Sequence, residues 1–148
     1  MADTLMAEVS HDRAIKAAIV EWTKAIRSKD ATKALRHFSE DVVAFDLAPP
    51  LKIAGKDPEG LQAWFDTWDG PIQFEVSDLH IDANDELGVA RSLSRIGGTK
   101  TSGEDSSVWV RSTVCFRRNR GEWKVFHVHS SVPFYMDGSV RAAIDLTP

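Results

Sequence analysis

The hydrophobic periodicity of the chain changes at Pro71, from the spacing of helices to that of strands. Four long segments with strand character follow, bounded by turn residues: 72–82, 86–97, 106–118 and 122–132. The connections 83–85 and 119–121 are short, so we expect strands that are neighbours in sequence to be antiparallel neighbours in space. The pattern predicts an antiparallel meander in the second half of the chain.

The first half carries three helical patterns. In the first, four apolar residues recur at spacings of four and three: Ile15, Ile19, Trp22 and Ile26. They predict a helix from an N-cap at Ser10 to about Ser28. Asp30 caps a shorter second helix, whose buried side is predicted to carry Ala34, Leu35 and Phe38. Asp57 and Pro58 open a third, with a buried face of Leu61, Trp64, Phe65 and Trp68.

Between the second and third helices, residues 42–46 are short, β-branched and apolar, which predicts a strand. Pro49 and Pro50 prevent it from continuing as a regular ladder, and a short strand at 51–53 follows. Helices followed by a meander predict an α+β domain in which helices cover one face of a curved sheet. We expect a flexible lead-in at 1–9, one domain at 10–134 and a tail at 135–148.

Composition narrows the classes of function. The chain has 148 residues, 43% of them hydrophobic, and a formal charge of −4, with basic residues dispersed among acids. That charge pattern is not typical of nucleic-acid binding, and no apolar run approaches the roughly 20 residues of a membrane span. The single cysteine, Cys115, can form no internal disulfide. We therefore expect a cytoplasmic protein that acts through a pocket and contacts neither nucleic acid nor membrane.

Polar and apolar side chains alternate in the last hairpin. A three-residue loop at 119–121 would place Arg111 opposite His129 and Thr113 opposite His127, all on one face. The other face would be apolar, with Val108, Val110, Val114, Phe116, Phe126 and Val128. A slip of one residue would send Arg111 and the histidines to opposite faces. We expect the apolar face to pack against a second copy, sheet against sheet, as a homodimer.

The stretch WVRSTVCFRR at 109–118, followed by GEWKVFHVHSSVPF at 121–134, resembles the closing hairpin of SnoaL-like proteins of the nuclear transport factor 2-like superfamily. The association domain of calcium/calmodulin-dependent kinase is more distantly similar. The resemblance runs from about residue 10 to residue 134. It implies a cone-shaped fold with a pocket between the sheet and the helices, and commonly a homodimer. It says little about activity, because the superfamily mixes enzymes with non-catalytic modules.

The stretch VVAFDLAPPLKIAG at 42–55 is similar to a segment of ketosteroid isomerase that ends in Pro-Pro-x-x-Gly. The similarity puts Asp46 where that family keeps its general base. The family also uses a tyrosine and a protonated aspartic acid as an oxyanion hole, an arrangement that is a standard case of carboxylic acid tuning. Here Trp22 stands at the tyrosine position, and Arg111 stands where the acid is expected. Steroid isomerisation is therefore not predicted.

These considerations give a set of candidate residues. The candidate catalytic residues are Asp46, His127 and His129, and the candidate ligand-binding residues are Arg111, Trp22, Phe45, Trp64 and Trp109. Each has a structural alternative. Arg111 could pair with Asp46 or Glu21, either imidazole could bond a backbone carbonyl, Asp46 could form a turn, and the aromatic residues could be wall or core.

Two classes of function stay open. In the first, Asp46 or His129 moves a proton next to a carbonyl group while Arg111 stabilises the enolate, as in an isomerase, hydratase or lyase without a cofactor. In the second, the domain is a non-catalytic ligand-binding or assembly module. The expected ligand is small and hydrophobic or carboxylate-bearing. We expect no metal, because Asp46 is the only candidate for a third ligand beside the two imidazoles.

Overall fold

The computed structural model describes the backbone of residues 2–148 and the side chains of residues 11–148. The described chain forms three helices and six strands in this order: α1 (Ala2–Arg27), α2 (Ala31–Ala34), β1 (Phe38–Phe45), β2 (Ile53–Ala54), α3 (Pro58–Phe65), β3 (Trp68–Ala83), β4 (Leu87–Lys100), β5 (Asp105–Asn119) and β6 (Glu122–Ser131). The strands form one sheet in the order β2-β1-β6-β5-β4-β3. The predicted α+β class and the meander are confirmed.

Strand β1 is inserted beside β6, and the two run parallel. All other neighbouring strands are antiparallel, as their short connections predict. Parallel pairing brings the C-terminal ends of β1 and β6 to the same end of the sheet, so the loop after Phe45 and the segment after Ser131 leave the sheet side by side.

Two predicted caps are present. The Asp30 carboxylate accepts a hydrogen bond from the backbone N–H of Lys33, and Asp57 accepts one from Gly60, each at 3.0 Å. Helix α1 begins at Ala2, upstream of the predicted cap at Ser10, so the expected lead-in is helical backbone.

Two aromatic residues that were predicted to lie on helices open strands instead. Phe38 is the first residue of β1 and pairs with Val125 of β6. Trp68 is the first residue of β3 and pairs with Lys100. In both cases the N–H and C=O groups of a neighbouring strand satisfy the backbone hydrogen bonds. This pairing involves residues far apart in sequence, so helical spacing in the local sequence cannot anticipate it.

All three helices pack on one face of the sheet. In one cluster, Ile15 and Ile19 of α1 pack with Val114 and Phe116 of β5 and with Val128. A second cluster joins the C-terminal half of α1, α2 and α3 to the start of β3, and contains Ala25, Ile26, Ala31, Ala34, Phe65, Trp68, Ile72 and Phe74. The expectation that the apolar face of the last hairpin meets a second copy is therefore wrong, because that face is buried under α1.

The last hairpin differs from prediction in register. Asn119 pairs with Glu122, so the loop has two residues, Arg120 and Gly121, with φ of 52° and 79°. The register then shifts between Cys115 and Phe116, which leaves Phe126 as an extra residue on β6. Phe126 lies beneath the Arg117 guanidinium, 4.4 Å from ring to Cζ, and not on the apolar face.

The shorter loop and the bulge compensate for each other. Beyond the bulge, Arg111 pairs with Ser131, Thr113 with His129 and Cys115 with His127. The predicted partners are wrong by two positions, but the prediction that Arg111 and both histidines share a face is confirmed, because a shift of two preserves the alternation of strand side chains.

No described helix is long and apolar enough to span a bilayer. After β6, residues 132–148 form a small folded segment in which Phe134 bridges to Ala142 and Ala143 is buried.

Candidate functional site

A small cavity lies between helix α1 and the sheet. Its volume is about 10 Å³, enough for no more than one water molecule. Apart from His37, its lining is apolar: Ala18, Ile19, Trp22, Phe38, Val114, Phe116, Val125 and Val128. The pocket that was expected inside the cone is therefore closed in this conformation.

Arg111, His127 and His129 lie on the opposite face. We call this the helix-free face, and its central residues are Arg91, Trp109, Arg111, Thr113, His127 and His129. These residues therefore do not line the space between the sheet and the helices, where the family resemblance implies a pocket. Burying Arg111 among apolar helix residues would require a carboxylate partner, whereas burying Val114 and Phe116 is favourable by itself.

A wide depression lies where β1 ends. It has a volume of about 690 Å³, is open to solvent, and is lined by residues 45–52 and by His129. The loop that forms it contains Pro49 and Pro50, joined by a cis peptide bond. Strand pairing of Phe45 with His129 places the β6 imidazole beside this loop.

Asp46 follows the last residue of β1 and lines the depression together with His129. Asp46 is an exposed residue by its surface area. Desolvation of the carboxyl group by its surroundings nevertheless raises its pKa above the ordinary value of 3.8. The depression thus holds a carboxyl group with a raised pKa and an imidazole from a different strand.

The two histidines have different surroundings. Nδ1 of His127 donates a hydrogen bond to the backbone carbonyl of Val43, at 2.7 Å, so this imidazole helps to hold β6 against β1. His129 is exposed and has no hydrogen-bonded partner among the described side chains. The Phe45 ring packs edge-on against both, with centroids 4.7 Å from His127 and 5.5 Å from His129. The structural alternative fits His127, whereas His129 has no such partner among the described residues.

Arg111 extends from β5 on the helix-free face. Its Nε donates a hydrogen bond to Oγ of Ser131, at 3.1 Å. Neither of the proposed structural partners pairs with it: Glu21 contacts His37 at 2.6 Å, and Asp46 forms no ion pair within the described residues. The His37 contact lowers the pKa of the Glu21 carboxyl group. The Arg111 guanidinium therefore has a hydrogen-bond partner for its Nε but no counter-ion among residues 11–148.

Of the aromatic candidates, Phe45 lines the depression, and the other three lie elsewhere in the structure. Trp22 lies on the helix side, between Phe38 and Phe74, with ring centroids 6.3 Å and 5.5 Å away. Trp64 packs against Trp68 in α3 and the start of β3, and Trp109 lies on the helix-free face opposite Arg95. None of the three lines the depression.

Sequence reasoning missed six residues of the depression: Leu47, Ala48, Pro49, Pro50, Leu51 and Lys52. The signal that could have found them is the pair of prolines, because a loop that cannot join a ladder stays free to form a wall. Among the described side chains, no three His, Cys, Asp or Glu residues are grouped so as to hold a metal ion.

Comparison with known proteins identifies the family. The SnoaL-like domain family matches residues 15–135, which is most of the chain. The chain belongs to this family and to the wider nuclear transport factor 2-like superfamily. No curated protein sequence matches the chain.

Solved structures agree with this assignment. A nuclear transport factor 2-like protein of unknown function from Pseudomonas putida is 31% identical, with a TM-score of 0.85 over 95% of this chain and 98% of that one. A ketosteroid isomerase-like protein from Erwinia carotovora is 18% identical, with a TM-score of 0.65 over 80% and 93% of the two chains. The association domain of CaMKII from C. elegans is 17% identical, with a TM-score of 0.67 over 84% and 98%. The last two similarities show the fold alone.

Proposed function

We propose that this SnoaL-like protein binds a small carbonyl compound in the depression at the end of β1 and transfers a proton on it. The observation that carries the proposal is that Asp46, in the loop after β1, and His129, of β6, line the same depression. Two groups that can hold a proton at one site are the minimum for moving a proton from carbon while the charge on oxygen is stabilised.

In this reaction the Asp46 carboxylate removes a proton from the carbon next to the carbonyl group, and the carbonyl oxygen accepts a hydrogen bond from the His129 imidazole as the enolate forms. Returning the proton to the same carbon or to a neighbouring one completes an exchange or an isomerisation. The raised pKa of Asp46 supports this role, because a stronger base takes a carbon-bound proton more readily. The edge-on contact with Phe45 limits the orientations of the His129 ring.

The test is deuterium incorporation into cyclic ketones and β-keto acids in heavy water, followed by NMR. We expect the wild-type protein to exchange the acidic C–H positions, and Asp46→Asn to lose at least about 100-fold in rate, as is usual for a general base. His129→Gln should lose about 10-fold or more. Asp69→Asn and His80→Gln serve as matched controls, because both residues are exposed and lie on β3, away from the depression.

Exchange that is unchanged in Asp46→Asn would refute the proton-transfer role. If the compounds bind in the depression but exchange no faster than in buffer, the proposal of catalysis is also refuted, and the protein is a ligand-binding module.

A second candidate function is self-assembly through the helix-free face. The observation that favours it is that this face exposes apolar surface between its charged residues, including Val89 at 42% and part of Phe45. The fold shared with an association domain supports it further. Light scattering tests it: a homodimer has twice the 16.4 kDa of one chain, and Val89→Asp should dissociate it. A wild-type mass of 16.4 kDa at micromolar concentration would exclude it.

A further inference from the structure

The segment after β6, residues 132–148, is folded but presents apolar side chains to solvent. The Tyr135 N–H donates a hydrogen bond to the Arg141 carbonyl, at 2.8 Å. The N–H of Ala143, a buried residue, donates one to the Pro133 carbonyl, at 2.7 Å. Five large apolar residues of this ordered segment are nevertheless exposed: Phe134, Met136, Val140, Ile144 and Leu146. Such a surface is typical of an interface.

The loop beside this segment has the same character. In the lining of the depression, Leu47 is 47% exposed and Leu51 is 97% exposed. The loop and the segment leave the sheet at the same end, because β1 and β6 are parallel. Together they hold most of the exposed large apolar residues among residues 11–148. No residue of the segment lines the depression of its own chain, so the two apolar surfaces lie side by side without covering each other.

Each of these two surfaces also carries a charged residue without an ionic partner. Lys52 lines the depression and has no carboxylate oxygen within 4.0 Å among the described side chains, whereas Lys56 contacts Glu40 at 3.0 Å. Asp137 is exposed in the segment and accepts hydrogen bonds from Oγ and the backbone N–H of Ser139, at 2.6 and 3.0 Å. These bonds lower the pKa of Asp137, so the residue is a carboxylate at neutral pH.

We infer that the segment after β6 of one copy covers the depression of a second copy, with Asp137 of the first beside Lys52 of the second. A second copy is the fitting occupant because both complementary surfaces, one with an anion and one with a cation, lie at the same end of one chain. Two-fold symmetry then forms the contact twice in a closed dimer. His129 belongs to the depression and to the helix-free face, so this contact continues the interface of the second candidate function.

The inference also deepens the proposed function, and this part of it rests on that function. The depression of one chain is open to solvent, and Asp46 is exposed in it. Apolar side chains from a second copy exclude water from the depression, which strengthens the hydrogen bond from His129 to a developing enolate. The site for proton transfer is thus complete only in the dimer.

The first test measures assembly by sedimentation equilibrium. Met136→Asp and Ile144→Asp place a charge in the apolar surface of the segment, and each should weaken the dimer at least about 10-fold, because the charge would be buried without a partner. Val20→Asp is the matched control. Val20 is 43% exposed but lies on α1, on the other side of the sheet, so the dimer should not change. Thermal unfolding of each variant confirms that it is folded.

Exchanging the charges tests the pairing of Asp137 with Lys52. Asp137→Lys and Lys52→Asp should each weaken the dimer several-fold, because like charges then meet, and the double variant should recover most of the loss. Contact between copies is observed directly in a mixture of isotope-labelled and unlabelled wild-type chains. Isotope-filtered NOE spectra should show the Leu51 methyl groups close to Met136 of the other copy.

Proton exchange provides a separate measurement of the composite site. Asp46→Asn chains lack the base, and Met136→Asp chains lack the cover, so each should exchange slowly alone. A mixture of the two should recover part of the rate, because the mixed dimer holds one intact depression beneath one intact segment.

Three results would overturn the inference: a monomeric wild-type protein at micromolar concentration, a dimer that neither Met136→Asp nor Ile144→Asp weakens, or contacts between Leu51 and Met136 that arise within one copy alone. Exchange that still depends on Asp46 would then leave the proposed function standing. Conversely, a dimer with the expected contacts between copies and no exchange in the wild-type protein would refute catalysis and support the interface.

Discussion

Phe45 and His129 stand directly opposite each other on the parallel strands β1 and β6, with ring centroids 5.5 Å apart and ring planes at 83°. The same phenyl ring packs edge-on against His127, at 4.7 Å and 76°. One aromatic residue at the end of β1 therefore contacts both imidazoles of β6, and the depression begins immediately after it.

Replacing Phe45 with leucine should loosen His129 while the fold is retained. An edge-to-face aromatic pair contributes about 0.5–1.5 kcal/mol beyond the burial of its surface. We expect weaker ligand binding in the depression and shifted His127 and His129 proton resonances, observed by NMR. Phe126→Leu is the matched control, because Phe126 is on the same face but packs under Arg117. Resonances that move equally in both variants would contradict a specific contact.

The raised pKa of Asp46 predicts a pH-dependent change in stability on substitution. Burial favours the neutral carboxyl group, so its contribution is fully present below the ordinary pKa of 3.8 and is lost as pH rises through the folded-state pKa. Asp46→Asn, which cannot ionise, should be more stable than wild type at pH 7 and equal to it near pH 3. Denaturant unfolding at both pH values measures this difference.

Asp69→Asn provides the comparison for this experiment, because Asp69 is exposed at the start of β3. Its effect should be small at both pH values. An Asp46→Asn protein that is less stable than wild type at pH 7 would show that the carboxylate accepts stabilising interactions.

A substitution in the turn of the last hairpin should stabilise the protein. Arg120 has φ of 52° and precedes Gly121 in a two-residue loop, a position that favours asparagine or glycine. Arg120→Asn should raise the free energy of unfolding by about 0.5–1 kcal/mol, because asparagine adopts left-handed backbone at lower cost. Thermal unfolding measures the gain. A lower melting temperature would mean that the Arg120 side chain itself stabilises the hairpin.

The packing beneath α1 should dominate stability. Phe116 is 1% exposed and contributes to the cluster between α1 and β5, so Phe116→Ala should cost about 3–5 kcal/mol. Phe134 is 53% exposed, and Phe134→Ala should cost much less. Urea unfolding of both variants compares the two sites. Similar losses would show that the segment after β6 is as firmly packed as the core.

The strands of the meander and the caps at Asp30 and Asp57 could be predicted because they depend on local signals. Short turn sequences determine which strands pair, and Asp30 and Asp57 each accept a hydrogen bond from a helix N–H three residues away. The bulge at Phe126 could not be predicted. A β-bulge has no characteristic sequence that would reveal it. Here the bulge restores the alternation of side chains between the two faces, which the shorter loop would have reversed.

The site was harder to predict than the fold. Asp46 and His129 were both candidates, but their meeting depends on the parallel pairing of β1 with β6, which joins residues 84 apart in sequence. Which face of the hairpin packs against the helices depends on a balance between the free energies of burying its apolar and its charged side chains. Placing Val114 and Phe116 under α1 is favourable, whereas Arg111 has no acidic partner there.

The insertion of β1 beside β6 affects how the protein is made. As the chain leaves the ribosome, β1 emerges long before the strand that will pair with it, and its hydrogen-bonding edge must wait for the last hairpin. Contacts between such distant segments slow folding, because the intervening loop loses entropy before the pairing compensates for it. The depression therefore assembles only after β6 has been made, among the last features of this domain to form.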